Sequence, residues 1–183
     1  SPCSADGVIC VWLVRQIWDI RAGHSVRSIF GPYIAGDAVD VHGNTILTGS
    51  HRLDSAVQTW DIRTCKQVDE ISWNSDGSKR NRSMLYSAQF SKDGTLIAAG
   101  GYNQNMAKVF DRNAGNAVVG SLAGLTRGVF SVDFGKDNQL AVAGGDAAVR
   151  LFDIVDAAGH TGSRELTLQH HQAVAGGEEE SKK

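Results

Sequence analysis

Leu140-Ala141-Val142-Ala143-Gly144-Gly145-Asp146-Ala147-Ala148-Val149-Arg150-Leu151-Phe152-Asp153-Ile154 is the stretch from which the fold is read. A short apolar strand ends in small residues, an aspartate sits in the connection, and a second strand ends in an aromatic–Asp pair. Just upstream, Phe130-Ser131-Val132-Asp133-Phe134 alternates, so Phe130, Val132 and Phe134 are expected on one face with the period of two of a β-strand. Lys136-Asp137-Asn138 lies between them, and Asp and Asn tolerate the backbone of a tight hairpin turn.

The same order of parts occurs elsewhere. Aromatic–Asp pairs stand at Trp18-Asp19, Trp60-Asp61, Phe110-Asp111 and Phe152-Asp153, spaced 42, 50 and 42 residues. Ahead of the second pair lie Ala38 to Val41, His42-Gly43-Asn44 and Ile46 to Gly49. Ahead of the third lie Tyr86 to Phe90, Lys92-Asp93-Gly94 and Leu96 to Gly100. Tyr86, Ala88 and Phe90 are expected to share one face of their strand. A further β-rich stretch, such as Val68 to Trp73 or Ala117 to Leu122, separates consecutive units. That makes four strands per unit. Composition agrees with an all-β class: 21 glycines against 2 prolines fit many tight turns between short strands, and no window sustains helical spacing of apolar residues.

Four antiparallel strands per roughly 40–45 residues, ending in Trp-Asp, resemble the blades of the WD40-repeat family. The resemblance covers about residues 13–153 and rests on the combination of parts. It implies a β-propeller with about three complete four-stranded blades and partial blades at both ends. Trp18, Asp19, Trp60, Asp61, Phe110, Asp111, Phe152 and Asp153 are its structural blade residues, joined by Asp54 and Asp146, each six residues before its aromatic. Both carboxylates are expected to hydrogen-bond to backbone donors of their own turns. Gln104 takes that place in the third unit. The family's Gly-His pair is absent ahead of all three full units, where Gly31-Pro32, Asn74 and Gly124-Leu125 stand instead, and His171 is the one plausible match. The family's Asp–His–Ser/Thr–Trp network is therefore expected to be incomplete.

On this reading residues 1–12 end one blade and 13–19 end another. Blades occupy 20–61, 62–111 and 112–153, a partial blade 154–171, and an acidic tail 172–183. Arg164 to Leu168 is expected to be the outer strand of a fourth blade. Asp6 to Trp12 and Leu13 to Ile20 each look like a complete blade ending, yet only six residues separate Trp12 from Trp18. A break is expected near Trp12–Leu13, with most of a blade missing between the two segments. An arc of three blades would expose broad apolar sheet faces, so further blades are expected from the same polypeptide or another chain.

The chain has 18 Lys and Arg, 20 Asp and Glu and a net charge of −2, which argues against binding nucleic acid through bulk charge. Its longest apolar run, Val8 to Val14, falls short of the ~18 residues of a membrane span. The first residues carry no signal-peptide pattern. Cys3, Cys10 and Cys65 lack metal-site spacing and read as reduced thiols of an intracellular, cytoplasmic protein. The glycine pairs after Ala99 and Ala143 precede no helix and cradle no phosphate. Adjacent His170 and His171 would point to opposite faces of a strand, and Cys65 has no matched histidine. No catalytic constellation, metal or cofactor is expected.

Candidate partner-binding residues lie in the loops. Asn74 to Ser83 lengthens one unit and carries Lys79, Arg80 and Arg82. A further insertion holds His51 and Arg52, and Tyr102 and Asn103 open another loop. The leading reading is a non-catalytic scaffold that binds other proteins within a multi-protein assembly, a cytoskeletal or ciliary one being a sub-case. The alternative is a reader of a phosphorylated or acidic peptide or RNA, with Lys79, Arg80, Arg82 and Arg127 converging on one rim. No membrane or small-molecule substrate is expected.

Overall fold

The structure, a computed structural model, describes residues 8–11, 16–74, 83–136, 139–156 and 166–170, with side chains at 16–74, 83–136 and 139–154. It is built of antiparallel sheets in which consecutive strands are neighbours. The first contains β1 (Val8–Val11), β2 (Gln16–Asp19) and β3 (His24–Ser28). Three four-stranded sheets follow. The first is β4 (Val39–His42), β5 (Thr45–Gly49), β6 (Val57–Asp61) and β7 (Gln67–Ile71). The next is β8 (Met84–Phe90), β9 (Leu96–Tyr102), β10 (Ala107–Asp111) and β11 (Ala117–Leu122). The last is β12 (Val129–Phe134), β13 (Gln139–Gly144), β14 (Val149–Asp156) and β15 (Leu166–His170).

Each sheet begins and ends one strand later than the unit read from the sequence. β7 and β11 pair back onto β6 and β10, so the strand after each aromatic–Asp pair closes the sheet that the pair belongs to. β15 likewise pairs with β14, completing the third four-stranded sheet where the outer strand of a fourth blade was expected. The Trp12–Leu13 junction lies outside the described residues. The strands flanking it, expected to end two different blades, are antiparallel neighbours in one sheet, with Ile9 opposite Trp18.

The sheets stack through three apolar layers. Ile17 and Ile29 meet Ile46 and Trp60 between the first two sheets. Leu47, Val57 and Ile71 meet Leu85, Ala88, Ile97 and Phe110 at the next junction. Leu96, Ala98, Ala107 and Val109 meet Val132, Phe134, Leu140, Val142 and Phe152 at the last. The second and third strands of the two middle sheets, β5, β6, β9 and β10, are thus covered on both faces, which explains why nearly all their side chains are buried. Burying one such aromatic contributes about 2–3 kcal/mol. The small residues that end the second strands have a steric cause. A Cβ on Gly100 would lie 2.4 Å from Val129 Cγ1 of the following sheet.

The repeated aspartate after each aromatic is explained by the turn that it closes. Asp19 Oδ1 accepts from the N–H groups of Arg21 (2.8 Å) and Ala22 (3.3 Å), and Asp61 Oδ1 from those of Arg63 (2.8 Å) and Thr64 (2.9 Å). Asp111 Oδ1 accepts from Asn113 N–H (2.8 Å), whereas Asp153 accepts from the Gln139 side chain (3.4 Å). Four residues past the first three aspartates the chain turns left-handed, at Gly23 (φ 69°), Cys65 (φ 54°) and Gly115 (φ 65°). Cys65 stands where its two counterparts are glycine, and a left-handed L-residue costs about 1–2 kcal/mol. Cys65→Gly is expected to raise stability by about 0.5–1 kcal/mol, part of the relief being offset by glycine's greater unfolded-state freedom. A higher urea midpoint at constant slope would show it.

Candidate partner-binding rim

Because neighbouring strands are antiparallel, two kinds of loop share one rim: those joining second to third strands, and those leading from one sheet to the next. They comprise residues 29–38, 50–56, 103–106, 123–128 and 145–148, with the ends of the 72–83 connection. Hydrogen bonds tie them together. His51 N–H donates to the Tyr33 carbonyl (2.6 Å), Tyr33 N–H to Ser50 Oγ (3.1 Å), Leu85 N–H to the Ser50 carbonyl (3.1 Å) and Ser83 Oγ to the Tyr102 carbonyl (2.8 Å).

A ridge of rings crosses this rim and spans all three four-stranded sheets. Tyr33 and His51 have centroids 6.4 Å apart, His51 and Tyr86 4.6 Å, and Tyr86 and Phe130 5.1 Å edge to face. Tyr33, Tyr102 and Phe130 are each at least half exposed, and Phe30 is 80% exposed. His51 Nδ1 and Asn105 Oδ1 are buried without a partner among the described residues. Such atoms are costly to leave unsatisfied.

Sequence alternation placed Tyr86 with Ala88 and Phe90, and Phe130 with Val132 and Phe134. The structure corrects both. Leu85 pairs with Gly101 and Ser87 with Gly100, leaving Tyr86 as an extra residue. Val129 pairs with Gly144 and Ser131 with Ala143, leaving Phe130 as one. These β-bulges take the two rings out of the alternating pattern and place them in the rim ridge. Tyr33, Tyr86 and Phe130 were not singled out as binding residues. Their signal in the sequence was an aromatic at or before the start of an inner strand.

Of the expected contacts, His51, Arg52, Tyr102 and Asn103 come together on this rim, with Arg127. Lys79, Arg80 and Arg82 lie outside the described residues, as do His171 and the 172–183 tail. Asp146 accepts the expected backbone bond from Ala148 N–H at 3.4 Å, but its shorter partner is Arg150 Nη2 at 2.6 Å. Arg150's hydrogen bond holds the Asp146 carboxyl below its ordinary pKa. Asp54 departs from expectation: it is exposed and unbonded among the described residues. The position equivalent to Arg150 is Gln58, whose amide donates to Gln67 at 3.0 Å, so no cation holds Asp54 among the described residues. Trp60 Nε1 nevertheless donates to Thr48 Oγ1 at 2.9 Å, the Trp–Thr part of the expected network.

Cys65 has no activated character, because burial pushes its thiol pKa up. Among the described residues, no three His, Cys, Asp or Glu side chains converge on a metal-sized site, and no helix is long and apolar enough to cross a membrane.

Asp40, on β4, is a partly buried carboxylate whose proton affinity burial raises. Its Oδ2 accepts from Phe90 N–H of the next sheet (2.8 Å) and its Oδ1 from Val41 N–H (2.8 Å). Burial raises its pKa above the ordinary 3.8 and outweighs those bonds, which lower it. The native state therefore holds this proton to higher pH than the unfolded chain does. The stability so gained is present below about pH 4 and lost as pH rises through the folded-state pKa. The melting-temperature difference between the natural chain and Asp40→Asn is expected to fall over that window and to be flat below it. Melting curves from pH 3 to 7 check this.

A family model described as "WD domain, G-beta repeat" matches residues 116–153, which run from the start of β11 into β14. The chain is 29% identical over 153 residues to the "WD repeat-containing protein 91 homolog" of Dictyostelium discoideum, covering 81% of this chain and 18% of that protein. It thus spans less than a fifth of that relative's length. A chain in the solved structure titled "Crystal Structure of Mitotic Checkpoint Complex" matches with a TM-score of 0.62 and 18% identity, over 81% of this chain and 42% of that one; this likeness is one of fold. With its four-stranded sheets, its aspartate-closed turns and these matches, the chain is similar to WD40-repeat proteins and has the fold of part of a WD40-type β-propeller.

Proposed function

We propose that the chain is a non-catalytic interaction platform within a multi-protein assembly, and that the rim bearing Tyr33, His51, Tyr86, Tyr102 and Phe130 binds a segment of a partner protein. The aromatic ridge carries this reading. Rings exposed together on rigid sheet ends supply large contact area with little side-chain entropy to lose, and aromatics are enriched at protein interfaces. Amide and hydroxyl groups beside them suit a wet, polar margin. WD40-repeat relatives with scaffold roles support the class of function by analogy of fold.

The test is proximity labelling followed by quantitative mass spectrometry. Tyr33→Ala with Phe130→Ala is expected to reduce the specific neighbours by about tenfold, the loss of roughly 1.4 kcal/mol of binding, without changing the melting temperature. Lys92→Ala, in the β8–β9 turn on the opposite rim, serves as the control. An unchanged neighbour set in the double variant would exclude the ridge as the binding element.

A further inference from the structure

The strands that follow the aromatic–Asp pairs, β3, β7 and β11, share one irregularity at one place. Each carries an extra, bulged valine opposite its partner strand: Val26, Val68 and Val119. Val119 is 5% exposed and packs in the layer beneath the last sheet, where β11 lies against β15. Val68, at the equivalent place on β7, is 66% exposed, and Val26 is exposed as well. The residue after the valine also differs. On β3 it is Arg27, whose Nη1 donates to the Ile62 carbonyl in the β6–β7 turn at 3.2 Å. On β7 it is Asp69, which reaches across as an anion: its Oδ2 accepts from Asn116 Nδ2 beside β11 at 2.5 Å. A cation thus bridges the first of these junctions and a carboxylate the second.

Between β7 and β11 lies a groove of about 350 Å³, within the range of roughly 300–1,000 Å³ usual for ligand sites. Asp69, Glu70 and Ile71 line it from β7, and Asn116, Ala117 and Val118 line it from β11 and the turn before it. Buried Ile71 and half-buried Val118 belong to one apolar layer and give the groove an apolar floor. Asp69 accepts from two amides, Asn116 Nδ2 and Glu70 N–H (2.9 Å). Among the described residues, no Lys, Arg or His lines the groove, and Glu70 meets no partner. Two adjacent exposed carboxylates therefore stand over apolar surface with no cation between them.

We propose that this groove binds an extended basic segment of a partner protein. A Lys or Arg of that segment sits between Asp69 and Glu70, and a neighbouring aliphatic residue covers Val118 and Ile71. Charge complementarity selects this occupant. A cation on an aliphatic stem covers apolar surface with the stem while its head meets the carboxylates. An acidic segment would meet like charge, and a wholly apolar one would strip water from both carboxylates without replacing it. The groove lies between strands that are last in their sheets, so the inference does not depend on the rim reading.

The test uses the whole chain and a fluorescent peptide in which Arg and Val alternate, with a control peptide carrying Glu in place of Arg. Fluorescence anisotropy is expected to show binding of the basic peptide alone, weakening as salt rises. Amide signals of Asn116, Ala117 and Val118 should shift on its addition. Asp69→Asn with Glu70→Gln should weaken binding by at least about tenfold, and Ala117→Arg, which places a cation in the groove, should do the same. Both variants should keep the melting temperature of the natural chain. Asp54→Asn with Asp133→Asn removes exposed carboxylates elsewhere and should leave binding unchanged. Equal weakening by this control pair would overturn the proposal, because net charge alone would then explain the binding. So would no binding at millimolar peptide. Binding that appears only once Lys79, Arg80 and Arg82 are replaced by Ala would overturn it too, because the chain's own basic segment would then be the occupant.

Discussion

Trp60→Ala is expected to destabilise the chain by about 3–5 kcal/mol, a large fraction of the 5–15 kcal/mol that usually holds a domain. Trp60 is 5% exposed and fills the layer between the first sheet and β4–β7, against Ile17, Ile29 and Ile46. Removing it leaves a cavity in a layer shared by two sheets, and removes the Nε1 donor from Thr48 Oγ1. Thr48 is itself 2% exposed, but its hydroxyl still donates to the Gln58 carbonyl at 3.3 Å, so the loss is mostly packing. Trp60→Phe should accordingly cost much less than Trp60→Ala. Urea unfolding of both variants measures the difference. Equal losses would show that the indole hydrogen bond dominates over volume.

Gly101→Ala is expected to rank with it, at about 3 kcal/mol, the upper end of ordinary overpacking costs. Gly101 lies on β9 opposite Leu85, beside the bulge at Tyr86. An added Cβ would lie 2.1 Å from the Met84 carbonyl oxygen and 2.8 Å from Leu85 Cα. Both obstacles are backbone and cannot rotate away, unlike the Val129 side chain beside Gly100. Relief would require β8 to move off β9, which would disturb the bulge that presents Tyr86. The variant should therefore lose stability and rim binding together, whereas Tyr33→Ala with Phe130→Ala should lose binding alone. Calorimetry and the neighbour assay, run on the same preparations, separate the two patterns.

Local chemistry made much of this architecture legible in the sequence. Trp60-Asp61 and Phe110-Asp111 announce a buried aromatic followed by an aspartate that closes a turn, and the small residues ahead of Gly100 announce a strand crossed closely by its neighbour. What depended on pairing was not legible. Periodicity alone cannot show that Tyr86 and Phe130 are bulged out of their ladders, because a bulge is defined by the partner strand. Nor can it assign Leu166–His170 to the sheet before it, since the outer strand is fixed by hydrogen bonds to β14. Asp54 looked equivalent to Asp146 by its spacing from the aromatic. The difference lay four residues on, where Gln58 replaces the cation supplied by Arg150.

Hydroxyl-radical footprinting of the intact chain tests most directly whether stacked blades leave an aromatic rim exposed. Phe30, Tyr33, Tyr102 and Phe130 should be oxidised rapidly, while Trp60, Trp73, Phe110 and Phe152 should stay protected until the chain unfolds. Oxidation of Trp73 and Phe110 at the rate of Phe130 in the folded chain would contradict the account, because the layer between β4–β7 and β8–β11 would then be open to water.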